Sequence, residues 1–257
     1  MSDLPPPPPP NMSPPPGYVA YGGHGAVQGT FRRIGGLTKW LVGLLIAALA
    51  VQVVSLLVQF TLRDSADDFI NKTISSSDFD DKLGLYVGVG LLAAVAAIAQ
   101  IVILIIWTFR LAKNAQVLGR QPQSFSPGAS IAVNILGGCT LGILNFFMWR
   151  EIWKASDPET APGDPSWKQR MVTPLITVWL VLTLSGVAAS ISLGIASSVN
   201  PVGTTESSTD LAENINDRLP FIALSGVLTI AAAAVFIMFV RQLAARHMQA
   251  TRESAIS

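Results

Sequence analysis

The sequence predicts an all-α integral membrane protein: four transmembrane helices in two hairpins, with a re-entrant or interfacial helical segment between them. Three observations carry this. Half of the 257 residues are hydrophobic and only 13% are charged, about half the charged share of soluble domains. Four apolar runs, about 41–60, 85–107, 175–195 and 221–240, are long enough to cross a hydrocarbon core of ~30 Å at 1.5 Å per residue. No Asp, Glu, Lys, Arg or His interrupts any of them.

Residues 1–36 hold Pro5 to Pro10 and Pro14 to Pro16, then GYVAYGGHGAVQG. Such a stretch favours polyproline II and lacks the apolar content for a core, so a disordered tail is expected before a transmembrane domain at 37–250. A proline-rich tail can dock on SH3-like or WW-like modules, which makes a protein partner one reading. No basic residue flanks the prolines to orient such a ligand, and a solvated spacer is the simpler one. The first apolar run is longer than a signal-peptide core and is followed by LRDSADD, so it reads as a retained span.

The segment from Arg63 to Lys82 reads as an acidic loop. Its aspartates lack the spacing of a calcium-binding loop and the bidentate Glu at the twelfth position, so a solvated face is expected. The second run continues as helix through Arg110, Lys113 and Asn114 to a cap at Gly119, with Trp107 and Phe109 placed for an interfacial belt. Pro122 and Pro127 break it.

Residues 131–148 form a run at the short end for a span, with Gly137, Gly138 and Gly142 inside it and Asn134 and Asn145 near its ends. Glycine clusters and amides at depth suit a re-entrant or broken helix surrounded by protein. Cys139, alone in the chain, reads as a small core residue. NFFMWREIWKAS follows, with Phe146, Trp149 and Trp153 at spacings of three and four around Arg150, Glu151 and Lys154, a pattern for a helix in the head-group plane. The re-entrant or interfacial segment thus covers 129–156. In the third run Gly186, Ser190 and Gly194 recur every four residues, which permits close helix approach, within the chain or in a homo-oligomer. A second acidic loop, 196–220, precedes the last span, and 251–257 form a short tail.

Charge decides the topology. If 131–148 does not cross, 13 Lys and Arg residues fall on one side and 4 on the other; if it crosses, the same orientation gives 7 and 10. The positive-inside bias therefore favours four crossings with both termini cytoplasmic.

Several chemistries have no support. Net charge is +1, so no nucleic-acid footprint is expected. No cofactor and no metal site are expected: GxGxxG and GxxxxGK[ST] patterns are absent, and zinc needs about four ligands that the chain does not group. His24 and His247 fall in expected tails, away from any candidate nucleophile, and proton relays lack ionisable groups in the spans. An enzyme is accordingly not expected.

Arg110 and Asn114 in R-x-x-x-N, Leu118-Gly119, Phe125-Ser126-Pro127-Gly128 and Arg150-Glu151-Ile152-Trp153-Lys154-Ala155-Ser156 resemble a bacterial membrane family catalogued as domain of unknown function 4328. The resemblance spans roughly 37–250 and implies a multi-pass protein of a bacterial plasma membrane with no assigned activity. GGCTLG stands where relatives tend to have prolines and Asn-Leu-Trp.

The expected function is a non-enzymatic membrane scaffold or interaction protein. Its inner-face platform, made of Trp107, Arg110, Lys113, Asn114, Ser126, Pro127, Gly128, Trp149, Arg150, Glu151, Trp153 and Lys154, would contact anionic lipid or a protein. The alternative is a small-solute transporter or channel with 131–148 lining the pathway.

Overall fold

The structure, a computed structural model, describes residues 30–199 and 208–253; most of the proline-rich tail lies outside the described residues. Its elements are α1 (Gly35–Ile70), α2 (Ser76–Val117), α3 (Pro127–Leu136), α4 (Ile143–Ala155), a 3₁₀ turn (Pro165–Gln169), α5 (Pro174–Val199) and α6 (Ser208–Ala250). Four of them, α1, α2, α5 and α6, are long and apolar enough to span a membrane.

At ~1.5 Å per residue, the 36 residues of α1 and 42 of α2 exceed a ~30 Å hydrocarbon core, so both project beyond it. The expected loop at 63–82 is therefore mostly helix. Leu62, Ala66 and Phe79 bury against Phe69, Ile70, Leu83 and Tyr86, at spacings of one helical face, and the Phe69 and Phe79 rings stack at 5.1 Å. Packing of these apolar positions carries the helices past the aspartates. Ser75 restarts the chain with a capping box: its hydroxyl accepts the Asp78 N–H at 3.2 Å while the Asp78 carboxylate accepts the Ser75 N–H at 3.3 Å. In the second hairpin, likewise, α6 begins at Ser208 rather than at the apolar run.

The principal contacts order the bundle: α1 packs on α2 and α6, α5 on α6, and α3 on α2, while α4 touches α2, α3 and α5. The α3/α4 pair thus fills the gap between the two transmembrane hairpins. Close approach of α5 to α6 occurs at Gly186, where a Cβ would lie 3.5 Å from Thr229 Oγ1. This member of the small-residue series is used inside the chain.

The middle segment does not cross. A ten-residue α3 covers about 15 Å, half a hydrocarbon core. The chain then reverses through 137–142, helped by positive φ at Leu141 (52°) and Gly142 (78°). Asn145 Nδ2 donates to Asn134 Oδ1 at 3.4 Å across the hairpin, and the Ser124 N–H donates to Glu151 Oε1 at 2.7 Å at its foot. Beyond the foot, Gly163 N–H donates to Leu118 O at 2.9 Å. Residues before and after the insertion are neighbours, so they share one side. Cys139, expected in the core, is exposed at the tip of this hairpin.

The α4 helix also differs from expectation. Met148, Trp149, Ile152 and Trp153 are buried: Trp149 packs at 5.9 Å from Trp107, 6.1 Å from Phe236 and 5.7 Å from Phe239. Its aromatic face turns into the bundle, where tilted and edge-on ring contacts add to the gain from burial. Phe147, Arg150 and Lys154 remain at or near the outside.

Two measurements check this topology. In a Cys139→Ser background, Gln121→Cys and Gln169→Cys should react with an impermeant maleimide from the same side of a sealed membrane; labelling from opposite sides would sink the re-entrant arrangement. Gly119 has φ +69° and its Cβ would lie 2.9 Å from Gly163 backbone, so Gly119→Ala should cost ~1–3 kcal/mol in a denaturant titration.

Candidate functional site

The basic end of the bundle is held by a polar assembly that five chain segments build. Asn114, buried near the end of α2, accepts the Arg32 N–H with Oδ1 at 2.8 Å and donates with Nδ2 to Arg32 O at 2.9 Å. The same Nδ2 lies 3.1 Å from His247 Nε2. Since the Arg32 N–H fixes which end of the amide is oxygen, Nδ2 donates and His247 Nε2 accepts. The imidazole is therefore neutral, its proton is on Nδ1, and Nδ1–H donates to Ser156 Oγ at 2.8 Å. Asn114, Ser156 and His247 are all fully buried. With its basic nitrogen turned to Asn114, His247 cannot take a proton from Ser156, so the pair is structural.

Next to Ser156, the buried Asp157 carboxylate pairs with Arg246 through Oδ1 and with Arg170 Nε at 2.8 Å through Oδ2, and it accepts the Thr160 hydroxyl. Arg120 is fully buried and donates to four carbonyls: Ala155 (3.3 Å), Asp157 (3.2 Å), Thr160 (2.6 Å) and Ala161 (2.7 Å). Burial pushes its guanidinium below the ordinary arginine value, and the nearby Asp157 charge opposes the shift. At the chain's other end, Glu253 accepts the N–H groups of Ile34 (3.0 Å) and Gly35 (3.0 Å). It thereby caps the positive end of α1, where Ile34 offers no side-chain cap.

On the outer face of α4 this scaffold presents a cleft of about 240 Å³ lined by Ser124, Phe147, Arg150, Glu151, Lys154, Trp167 and Lys168. Three cations face one carboxylate, and Glu151 is already engaged by the Ser124 N–H. The Arg150 guanidinium stacks 5.3 Å from the Phe146 ring, the Lys168 ammonium lies 5.6 Å from the Trp167 ring, and Lys154 Nζ donates to Lys168 O at 2.8 Å. Along α4, Phe147 sits nearest the turn at 137–142, followed by Arg150 and then Lys154.

The twelve residues expected to form one contact surface separate into three groups. Arg150, Glu151 and Lys154 line the cleft. At the same end of the bundle, Arg110 donates to Arg33 O at 2.8 Å, Lys113 lies 3.4 Å from Gln116 Oε1, and Ser126, Pro127 and Gly128 start α3, where the Ser126 hydroxyl accepts the Ala129 N–H. Trp107, Asn114, Trp149 and Trp153 are buried inside the protein and cannot touch lipid head groups; Trp107 Nε1 instead donates to Thr38 Oγ1 at 2.9 Å. Ser124, Phe147, Trp167 and Lys168 were not expected at the site. The adjacent Trp-Lys of PSWKQ was the one available signal.

This geometry defines a polytopic α-helical membrane protein in which a re-entrant hairpin wedges between two transmembrane hairpins. The family model described as Domain of unknown function (DUF4328) matches residues 71–245, more than half of the chain, and the chain belongs to that family. No curated protein and no solved structure matches it.

Removing Asn114 tests the assembly. Asn114→Leu should lower stability by ~2–4 kcal/mol, because it strands the Arg32 backbone and His247 Nε2 without partners. Asp157→Ala should cost ~2–3 kcal/mol, discounted for the partial exposure of both arginines. Reversible unfolding in mixed micelles measures both.

Proposed function

We propose that this protein is a non-enzymatic membrane scaffold whose basic face binds anionic lipid head groups. The observation that carries the proposal is the cleft on α4, where apolar and cationic groups follow one another in the order a lipid would require. Phe147, 49% exposed, offers a contact for the upper acyl chain, and Arg150, Lys154 and Lys168, which line the same cleft, offer positive charge to the phosphate. Arginine and lysine near a membrane surface each contribute ~1 kcal/mol toward anionic lipid. Exposed Trp40, on the first turns of α1, and Met171, just before α5, suit an interfacial position at the same end. The positive charge of this face supports a cytoplasmic orientation for both termini, in a bacterial plasma membrane, and the proline-rich tail would then be available to a cytoplasmic protein.

The alternative, a transporter or channel lined by 131–148, draws less support. The hairpin closes on itself, with Asn145 Nδ2 donating to Asn134 Oδ1.

Neutralising two of the three cations in Arg150→Gln/Lys154→Gln should weaken phosphatidylglycerol binding by ~2 kcal/mol, about thirtyfold. Lipid titration into delipidated protein, followed by native mass spectrometry, reads the change. Equal occupancy by phosphatidylcholine, or no difference between the variant and the parent, would count against the proposal.

A further inference from the structure

A second cavity, of about 220 Å³, lies in the middle of the helix ring, between α1, α2, α4, α5 and α6. It shares no purpose with the cationic cleft, since no ionisable residue lines it. Its polar groups are carboxamides from three helices: Gln52 of α1, Gln100 of α2 and Asn145 of α4. Its flat walls are Trp149, Trp179 and Phe236, with Trp179 and Phe236 at 5.6 Å and Trp149 and Phe236 at 6.1 Å between ring centroids.

Two acceptors here are left over. Gln52 Oε1 and Asn145 Oδ1 are buried and make no hydrogen bond. A buried acceptor without a partner costs ~1–3 kcal/mol, and at membrane depth lipid offers no donor to replace it. A Cβ at Gly137 would fall 2.7 Å from Asn145 Oδ1, so this glycine at the hairpin turn keeps room for that amide. The hairpin thus carries a carboxamide into the bundle and stations it beside aromatic rings.

A carboxamide can both accept and donate, and it carries no charge. A lining of amides and rings without ions selects a neutral ligand over a cation or anion, because an ion would enter with no counter-charge. Leftover acceptors call for a ligand that donates, and three aromatic walls call for one with a flat apolar body. Water alone would satisfy the amides, at ~30 Å³ per molecule, but would lie against ring faces that offer it little.

We propose that the central cavity is a binding site for one small, neutral, planar molecule bearing hydroxyl or amide N–H donors, with Gln52 as its acceptor and Trp149, Trp179 and Phe236 as its walls. This goes beyond the head-group reading and stands independently of it.

The test uses the full chain in nanodiscs and 4-hydroxybenzamide as the probe, titrated by saturation-transfer NMR against empty nanodiscs. Saturable binding of one molecule per chain is expected, with toluene and 4-hydroxybenzoate at least tenfold weaker. Gln52→Leu should weaken the probe at least tenfold, and Ala233→Leu, which fills space in the same cavity, should do so without touching an amide. Arg150→Gln/Lys154→Gln should leave the probe's affinity unchanged, which separates this site from the lipid cleft. Uptake no greater than in empty nanodiscs, equal binding of toluene, or undiminished affinity in a folded Gln52→Leu or Ala233→Leu protein would overturn the proposal and leave a water-filled void.

Discussion

Everything at the basic end of this protein depends on a neutral histidine buried between two hydrogen-bond partners. His247 receives a proton bond from Asn114 and gives one to Ser156. Those contacts join the end of α2, the end of α6 and the residue that closes α4. Asn114 extends the connection to the N-terminal segment through both backbone groups of Arg32. Asn114, Ser156 and His247 are each buried, so none of the three could exchange its partner for water without opening the bundle. Neighbouring ion pairs of Asp157 with Arg170 and Arg246 anchor the following loop to the same helix.

The re-entrant hairpin is stable because of that foundation. A pair of short helices cannot nucleate or persist alone, and α3 has ten residues and α4 thirteen. Their feet are tied by Glu151 to the Ser124 N–H, by Leu118 to Gly163 and by the four carbonyl bonds of Arg120. Above the feet, Trp149 interlocks with Trp107, Phe236 and Phe239. The same division of α4 shapes the cleft: one face is spent on packing, and the opposite face leaves Arg150 and Lys154 lining it.

Much of the architecture was legible in the chain. The four apolar runs mark the spans because a lipid core tolerates little else over that length, and the count of Lys and Arg on each side already disfavoured a fifth crossing. Gly119 ends α2 where expected, with positive φ. At 63–82 the aspartates suggest a loop because, in composition, they outweigh the spaced apolar residues Leu62, Ala66 and Phe79 whose burial carries the helices on. The site was half legible: Arg150, Glu151 and Lys154 stand out by charge near tryptophans, but tryptophan spacing says nothing about whether a ring faces lipid or protein.

By itself, then, the sequence determined the fold class, the number of spans and the asymmetry of charge, since these follow from local composition and length. Only tertiary structure decided that the α4 tryptophans face inward, that His247 is a buried linchpin rather than part of a tail, and that Lys168 joins Arg150 and Lys154. These outcomes depend on groups separated by up to 133 residues meeting in space. No periodicity within a single helix records which partner its face will find.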